Sequence, residues 1–204
     1  MLSKEIYLIR HGETDANRNG TIQGRGLNPP LNDHGLQQAQ RFFSLYGSVP
    51  FEAVYTSSLL RTQQSVAGFI AKGIPWIATA DLDEISWGLF EGKPATEQFH
   101  QAYRKLIQAW RQGHLDACAP QGESPLMVQK RMHRFRRQLI DSAYRLILVC
   151  THGRALRILL SELLQTPLEE MEQYAHYNFI LYILRYENQR FYLRTCTNSV
   201  PISS

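Results

Sequence analysis

Apolar and polar positions change rhythm repeatedly along this chain. Short runs rich in β-branched residues take turns with longer stretches whose apolar residues recur at helical spacing. Residues 4–10 read as a first strand, carried by Lys4-Glu5-Ile6-Tyr7-Leu8-Ile9. A loop rich in Gly, Asn and Pro runs from Gly12 to Asn32. A helix follows over about 33–46, with Asn32 or Asp33 as its N-cap. The run from Phe51 to Thr56 reads as a second strand, and Leu59 to Lys72 as one helix stopped by Gly73 and Pro75. Trp76 to Thr79 is a short strand, and Thr96 to Gln112 and about 123–142 are helical. Leu146 to Cys150 is a continuous apolar run, the pattern of a strand covered on both faces. The helix after Gly153 carries a core stripe of Leu156, Leu159, Leu160 and Leu163. Tyr177–Tyr186 and Arg190–Thr197 flank Glu187-Asn188-Gln189 as a terminal hairpin.

This alternation predicts an α/β fold, a three-layer α/β/α sandwich with a mostly parallel central sheet. A chain of 204 residues is expected to form a single domain over 1–204, with a small cap insertion at about 93–120. No internal repeat is visible. No run of about 18 apolar residues exists, so no membrane span is expected. The N-terminus enters a strand without a secretory pattern, which predicts a cytoplasmic protein. Cys118, Cys150 and Cys196 are too few and too scattered for a disulfide framework or a zinc site, and Cys150 is expected to be inert core.

The net charge of +4 fits either a nucleic-acid partner or a basic pocket for a phosphorylated small molecule. The densest basic run, Arg131 to Arg137, lies in a helix whose core stripe is Val128, Met132, Phe135 and Leu139. The arginines are therefore assigned to the solvated faces, and no nucleic-acid partner is expected.

Chemistry concentrates at strand ends. Arg10-His11-Gly12-Glu13-Thr14 directly follows the first strand. A neutral imidazole is a good nucleophile toward phosphorus, and a neighbouring guanidinium holds phosphoryl oxygens in a planar fork. Thr151-His152-Gly153 follows the buried strand and opens a helix, whose free N–H groups favour anions. Ligands gather at the carboxyl ends of parallel strands, so His11 and His152 are expected to meet. Arg61 would lie in the first turn of a helix, where its charge opposes the helix dipole unless an anion is its partner. Among Asp81, Asp83, Glu84 and Glu91, the pattern alone does not single out an acid. Trp87 and Phe90 are expected near a pocket, and Phe99, Tyr103 and Trp110 in packing.

The chain resembles the histidine phosphatase superfamily, the phosphoglycerate mutase-like proteins. Arg10 to Thr14 is similar to its RHGET signature. Asn17, Gln23-Gly24, Pro30-Leu31, Gly35, Gln38-Ala39, Thr56 to Arg61, Leu82 to Glu84 with Gly88 and Glu91-Gly92, Gly122-Glu123-Ser124 and Thr151 to Gly153 continue the likeness in order. The resemblance implies His11 as nucleophile, Arg10, Arg61 and His152 as a phosphoryl clamp, and Glu84 as general acid and then base. It also implies Asn17, Gln23, Gly24 and Gly153 as substrate contacts. Asn28 and Ser65 depart from residues common in the family, away from the expected centre.

The implied activity is that of a metal-independent phosphomonoesterase working through a phosphohistidine, without a cofactor. Its likeness is to the α-ribazole-phosphate phosphatase and fructose-2,6-bisphosphatase-like branches. The main alternative is a cofactor-dependent phosphoglycerate mutase, which usually carries a longer insertion before the Gly-Glu-Ser element. A catalytically silent phospho-ligand binding protein is a further alternative, disfavoured because His11, Arg61, Glu84 and His152 are all present. A metal site has no HExxH or CxxC support. A cysteine phosphatase fails because no cysteine has an arginine six positions later.

Overall fold

The computed structural model describes residues 3–93 and 96–199. The strands are β1 (Lys4–Arg10), β2 (Ala53–Thr56), β3 (Trp76–Ala78), β4 (Leu146–Thr151), β5 (Ile180–Glu187) and β6 (Arg190–Asn198). The helices are α1 (Asp15–Arg18), α2 (Asp33–Tyr46), α3 (Leu60–Ser65), α4 (Ala67–Ala71), α5 (Glu97–Arg111), α6 (Pro125–Asp141) and α7 (Gly153–Leu164). Short 3-10 turns occupy 80–82, 88–90 and 168–173.

The sheet runs β3-β2-β4-β1-β5-β6. Its first four members are parallel, and β5 and β6 add an antiparallel edge. The period of two divides the core. Ile6, Leu8, Ala53, Tyr55, Ile147 and Val149 face α6 and α7, meeting Val128, Met132, Phe135, Leu156 and Leu159. Ile9, Val54, Leu148 and Cys150 face the opposite layer and meet Phe42 and Phe69 of α2 and α4. Apolar residues on both faces therefore produce the expected three layers.

Caps explain most helix boundaries. Asn32 accepts from Gly35 N at 2.8 Å, and Ser124 accepts from Met127 N ahead of Pro125. The helix expected over 59–72 breaks into α3 and α4 at Val66. Ser65 Oγ donates to Arg61 O at 2.7 Å while accepting from Gly12 N at 2.9 Å. A hydroxyl bonded back to the carbonyl four residues earlier bends a helix, and here it also ties α3 to the loop after β1.

Gly12 lets that loop pack tightly. A Cβ there would meet Gly35 O and Phe179 Cε2, each at 2.9 Å. Within the expected cap segment, α5 buries Ile107 and Trp110 beneath Trp87. Residues 94 and 95 of that segment, and residues 1–2 and 200–204 at the ends of the chain, lie outside the described residues. Among the described residues, no helix is long and apolar enough to cross a membrane.

One expectation is corrected. Arg131 is buried, not solvated. It lies three residues after Val128 and four before Phe135, on the edge of the core stripe. Its guanidinium reaches backbone carbonyls that periodicity could not reveal.

Candidate active site

Register brings the two histidine motifs together. Arg10 pairs with Thr151 across β1 and β4, so the residues that follow leave the sheet side by side. His11 N donates to Thr151 O at 3.0 Å, and the His11 and His152 rings lie 5.0 Å apart, edge to face. Both imidazoles are buried.

His11 Nδ1 lies 2.7 Å from Gly12 O. A carbonyl only accepts, so Nδ1 carries the proton and Nε2 keeps its lone pair. Burial first, then the Arg61 and Arg10 charges, hold the ring well below the usual imidazole range. His11 is therefore neutral at physiological pH.

Arg61 is buried and occupied. Its Nε donates to His152 Nδ1 at 3.1 Å, and its Nη groups donate to Leu27 O at 2.9 Å and Gly24 O at 3.3 Å. His152 must then be protonated at Nε2, which donates to Ser57 Oγ at 2.7 Å. Burial and the same arginines keep His152 neutral. Among the described residues, Arg61 keeps one uncommitted N–H on each Nη nitrogen. Arg10 donates from Nη1 to His176 O, and its buried Nε has no partner among the described residues. Burial lowers both guanidinium pKa values to about 10, leaving the groups cationic at neutral pH.

Glu84 is fastened to the start of α7. Its Oε1 accepts from Ile85 N and Ala155 N, each at 2.9 Å, and its Oε2 accepts from Arg154 N at 3.0 Å. This corrects the expectation that the N–H groups opening α7 stand free for a ligand anion: a protein carboxylate occupies two of them. The geometry also separates Glu84 from its acidic neighbours. The Asp83 carboxylate turns to Ser58 N and Oγ, and Glu91 accepts from Trp87 N.

A cavity of about 130 Å³ opens over His11. Arg10, Asn17, Gln23, Glu84 and Gly153 line it, as the resemblance implies, together with Trp87. Arg61, His152 and Gly24 stand behind this wall and do not line it. Gly24 touches the site through its carbonyl on Arg61. Phe90 is corrected: it packs on Phe99 along a separate groove. Tyr103, expected in packing, lines the cavity. Ser65 is also corrected, since its hydroxyl holds the amide beside His11.

Arg154 and His176 line the cavity and were missed from sequence. Arg154 follows the second histidine motif directly, which was a usable signal; His176 sits in an unpatterned loop. Arg154 donates to Glu172 and to Tyr103 Oη, and lies 5.2 Å over the Trp110 ring. Glu172 also accepts from Arg157 at 2.9 Å. Burial and the charges of Arg157, Arg10 and Arg154 drive the His176 pKa down to about 3. Among the described residues, no group of three or more His, Cys, Asp or Glu could hold a metal ion.

Comparison with known proteins shows the family and the fold. The family model for the histidine phosphatase superfamily (branch 1) matches residues 6–199. An adenosylcobalamin/alpha-ribazole phosphatase of Escherichia coli is 30% identical over 168 residues, covering 81% of this chain and 82% of its own. The probable phosphoglycerate mutase GpmB of Cronobacter sakazakii is 34% identical over 170 residues, covering 80% and 76%. The crystal structure of the alpha-ribazole phosphatase from Shigella flexneri superposes with a TM-score of 0.83 at 25% identity, covering 98% of this chain and 100% of that one.

Proposed function

Because the chain belongs to the histidine phosphatase superfamily, we propose that it is a metal-independent phosphomonoesterase acting on a small phosphorylated metabolite through a phosphohistidine on His11. The observation that carries this reading is the His11 tautomer. With its proton on Nδ1 held by Gly12 O, the ring offers Nε2 to the cavity as a neutral nucleophile.

Nε2 attacks phosphorus, the P–N bond forms, and the bond to the leaving oxygen breaks. Glu84 gives that oxygen a proton. Its Oε2 accepts only one backbone N–H against two on Oε1, so Oε2 is the oxygen with room for the proton. Water then attacks the phosphohistidine, Glu84 takes the water's proton, and the P–N bond breaks. Arg10 at the cavity and Arg61 behind it supply positive charge to the transferring group, and neutral His152 holds Arg61 in place; Asn17, Gln23 and Gly153 shape the seat, and Gly24 acts through its carbonyl on Arg61. Fixed positive charge is the main thing a protein contributes to such a transfer. Splitting the hydrolysis into two displacements lowers each barrier.

The short segment between Glu84 and Glu123 favours hydrolysis over mutase chemistry, which needs a lid to exclude water. The likeness to GpmB gives the mutase reading its specific support.

The test is p-nitrophenyl phosphate hydrolysis by wild type and His11→Ala. The variant is expected to lose at least about a thousandfold in kcat, and wild type is expected to keep full activity in excess EDTA. Activity retained by His11→Ala, or strict loss in EDTA, overturns the reading. Conversion of 3-phosphoglycerate only in the presence of 2,3-bisphosphoglycerate identifies a mutase instead.

A further inference from the structure

We propose that Arg131 is a positioning residue for the acid–base step: with Glu123 it holds the backbone on both sides of Glu84. This rests on the acid–base role of Glu84 given above. Residues 83–87 lie outside the helices and strands, so their carbonyls and amides have no regular partners. Arg131 supplies several. Nη1 donates to Asp81 O at 2.8 Å and Asp83 O at 2.6 Å, and Nη2 donates to Glu84 O itself at 3.1 Å. Nη2 also donates to Glu123 Oε2 at 3.3 Å. That carboxylate oxygen accepts from Ser86 N at 2.9 Å, beyond Glu84. One ion pair therefore grips the chain at 81, 83, 84 and 86.

The grip is rigid for three reasons. The Arg131 side chain is only 5% exposed and that of Glu123 13%, so water does not compete freely for their bonds. A guanidinium is planar, so its fork fixes the spacing of the carbonyls it holds; a lysine ammonium lacks that geometry. Arg131 also projects from α6 beside Met132 and Phe135, which are fully buried, so its base does not move. From the other side, Thr151 Oγ1 donates to Leu82 O at 2.7 Å. Glu84 is thus set between α6 and β4, and its carboxylate meets the α7 amides at a defined point. A misplacement of about 1 Å at a reacting group can cost on the order of a hundredfold in rate.

A structural arginine would alter stability or slow all substrates alike. A residue that positions the proton donor affects most the esters that need a donor. The experiment compares kcat for p-nitrophenyl phosphate, whose leaving group needs little protonation, with kcat for propyl phosphate, which needs much. Wild type, Arg131→Met, Arg131→Lys, Glu84→Gln and the double variant Arg131→Met/Glu84→Gln are measured, with thermal melts alongside.

Arg131→Met is expected to lose at least about tenfold more on propyl phosphate than on the aryl ester, a part of the roughly 10²–10⁴-fold that a general acid contributes. The double variant is expected to fall no more than about twofold below Glu84→Gln, because the two changes remove one function. Arg131→Lys is expected to show the same selectivity to a smaller degree, and it carries the test alone if the Met variant does not fold. Equal losses on the two esters by the Arg131 variants, or a double variant that multiplies the single losses, overturn the proposal while Glu84→Gln remains selective. Should Glu84→Gln itself lose equally on both esters, the acid role falls, and the Arg131 proposal falls with it.

Discussion

Acidification through the histidine range should destabilise this protein. His11, His152 and His176 are held neutral in the fold, the first two well below 6.5 and the third at about 3. Burial is the largest cause in each case, and neighbouring arginines add to it. In the unfolded chain these rings regain an ordinary pKa near 6.5. Below that value the unfolded state takes up protons that the native state refuses, so stability falls as pH falls. From about pH 7.5 to about pH 5.5, each such histidine costs about 1.4 kcal/mol, and the three together about 4 kcal/mol. That is a large part of the roughly 5–15 kcal/mol that stabilises a typical domain. For a chain of this size it lowers Tm by roughly 8–16 °C. Urea unfolding at the two pH values measures the difference directly. Replacing His176 with Asn should remove about a third of the pH dependence, about 1.4 kcal/mol. A wild-type stability that changes by less than about 1 kcal/mol over this interval would refute the reasoning, because the three rings would then protonate within the fold.

Glu172→Gln is expected to destabilise by about 3 kcal/mol, the low end for a buried pair because Glu172 is partly exposed, since Arg154 and Arg157 lose the carboxylate between them; a change within about 0.5 kcal/mol in urea melts would count against that ion cluster. Thiol titration should find Cys118 and Cys196 reactive in the native protein and Cys150 reactive only after unfolding. Cys118 and Cys196 are exposed, whereas burial both shields the Cys150 thiol and pushes its pKa up. Rapid native labelling of all three thiols would contradict the packing of β4.

The elements were largely legible because their signals are local. The continuous apolar run of β4 marks a strand covered on both faces, and α5 and α6 begin at the Thr96 and Ser124 caps. The helix over 59–72 was misread because its break depends on a hydroxyl shared with Gly12, more than fifty residues away. Arg131 was misread for a similar reason. Helical spacing assigns a residue to a face of its own helix, but not to what lies against that face. The carbonyls of 81, 83 and 84 come from a segment without periodicity.

The sequence by itself determined the pair of histidine motifs at strand ends. Arg10-His11-Gly12 and Thr151-His152-Gly153 each follow an apolar run whose length and β-branched content suit a strand, and the parallel pairing of β1 with β4 brings them together. It also carried the family's motifs in order. Tertiary structure alone decided how those groups are held: the His11 proton on Nδ1, Glu84 on the amides that open α7, Arg61 and His152 behind the cavity wall, and Arg154, Tyr103 and His176 on its lining. Strand ends follow from the pattern of neighbouring residues, whereas hydrogen-bond partners and burial follow from what the folded chain packs opposite each side chain.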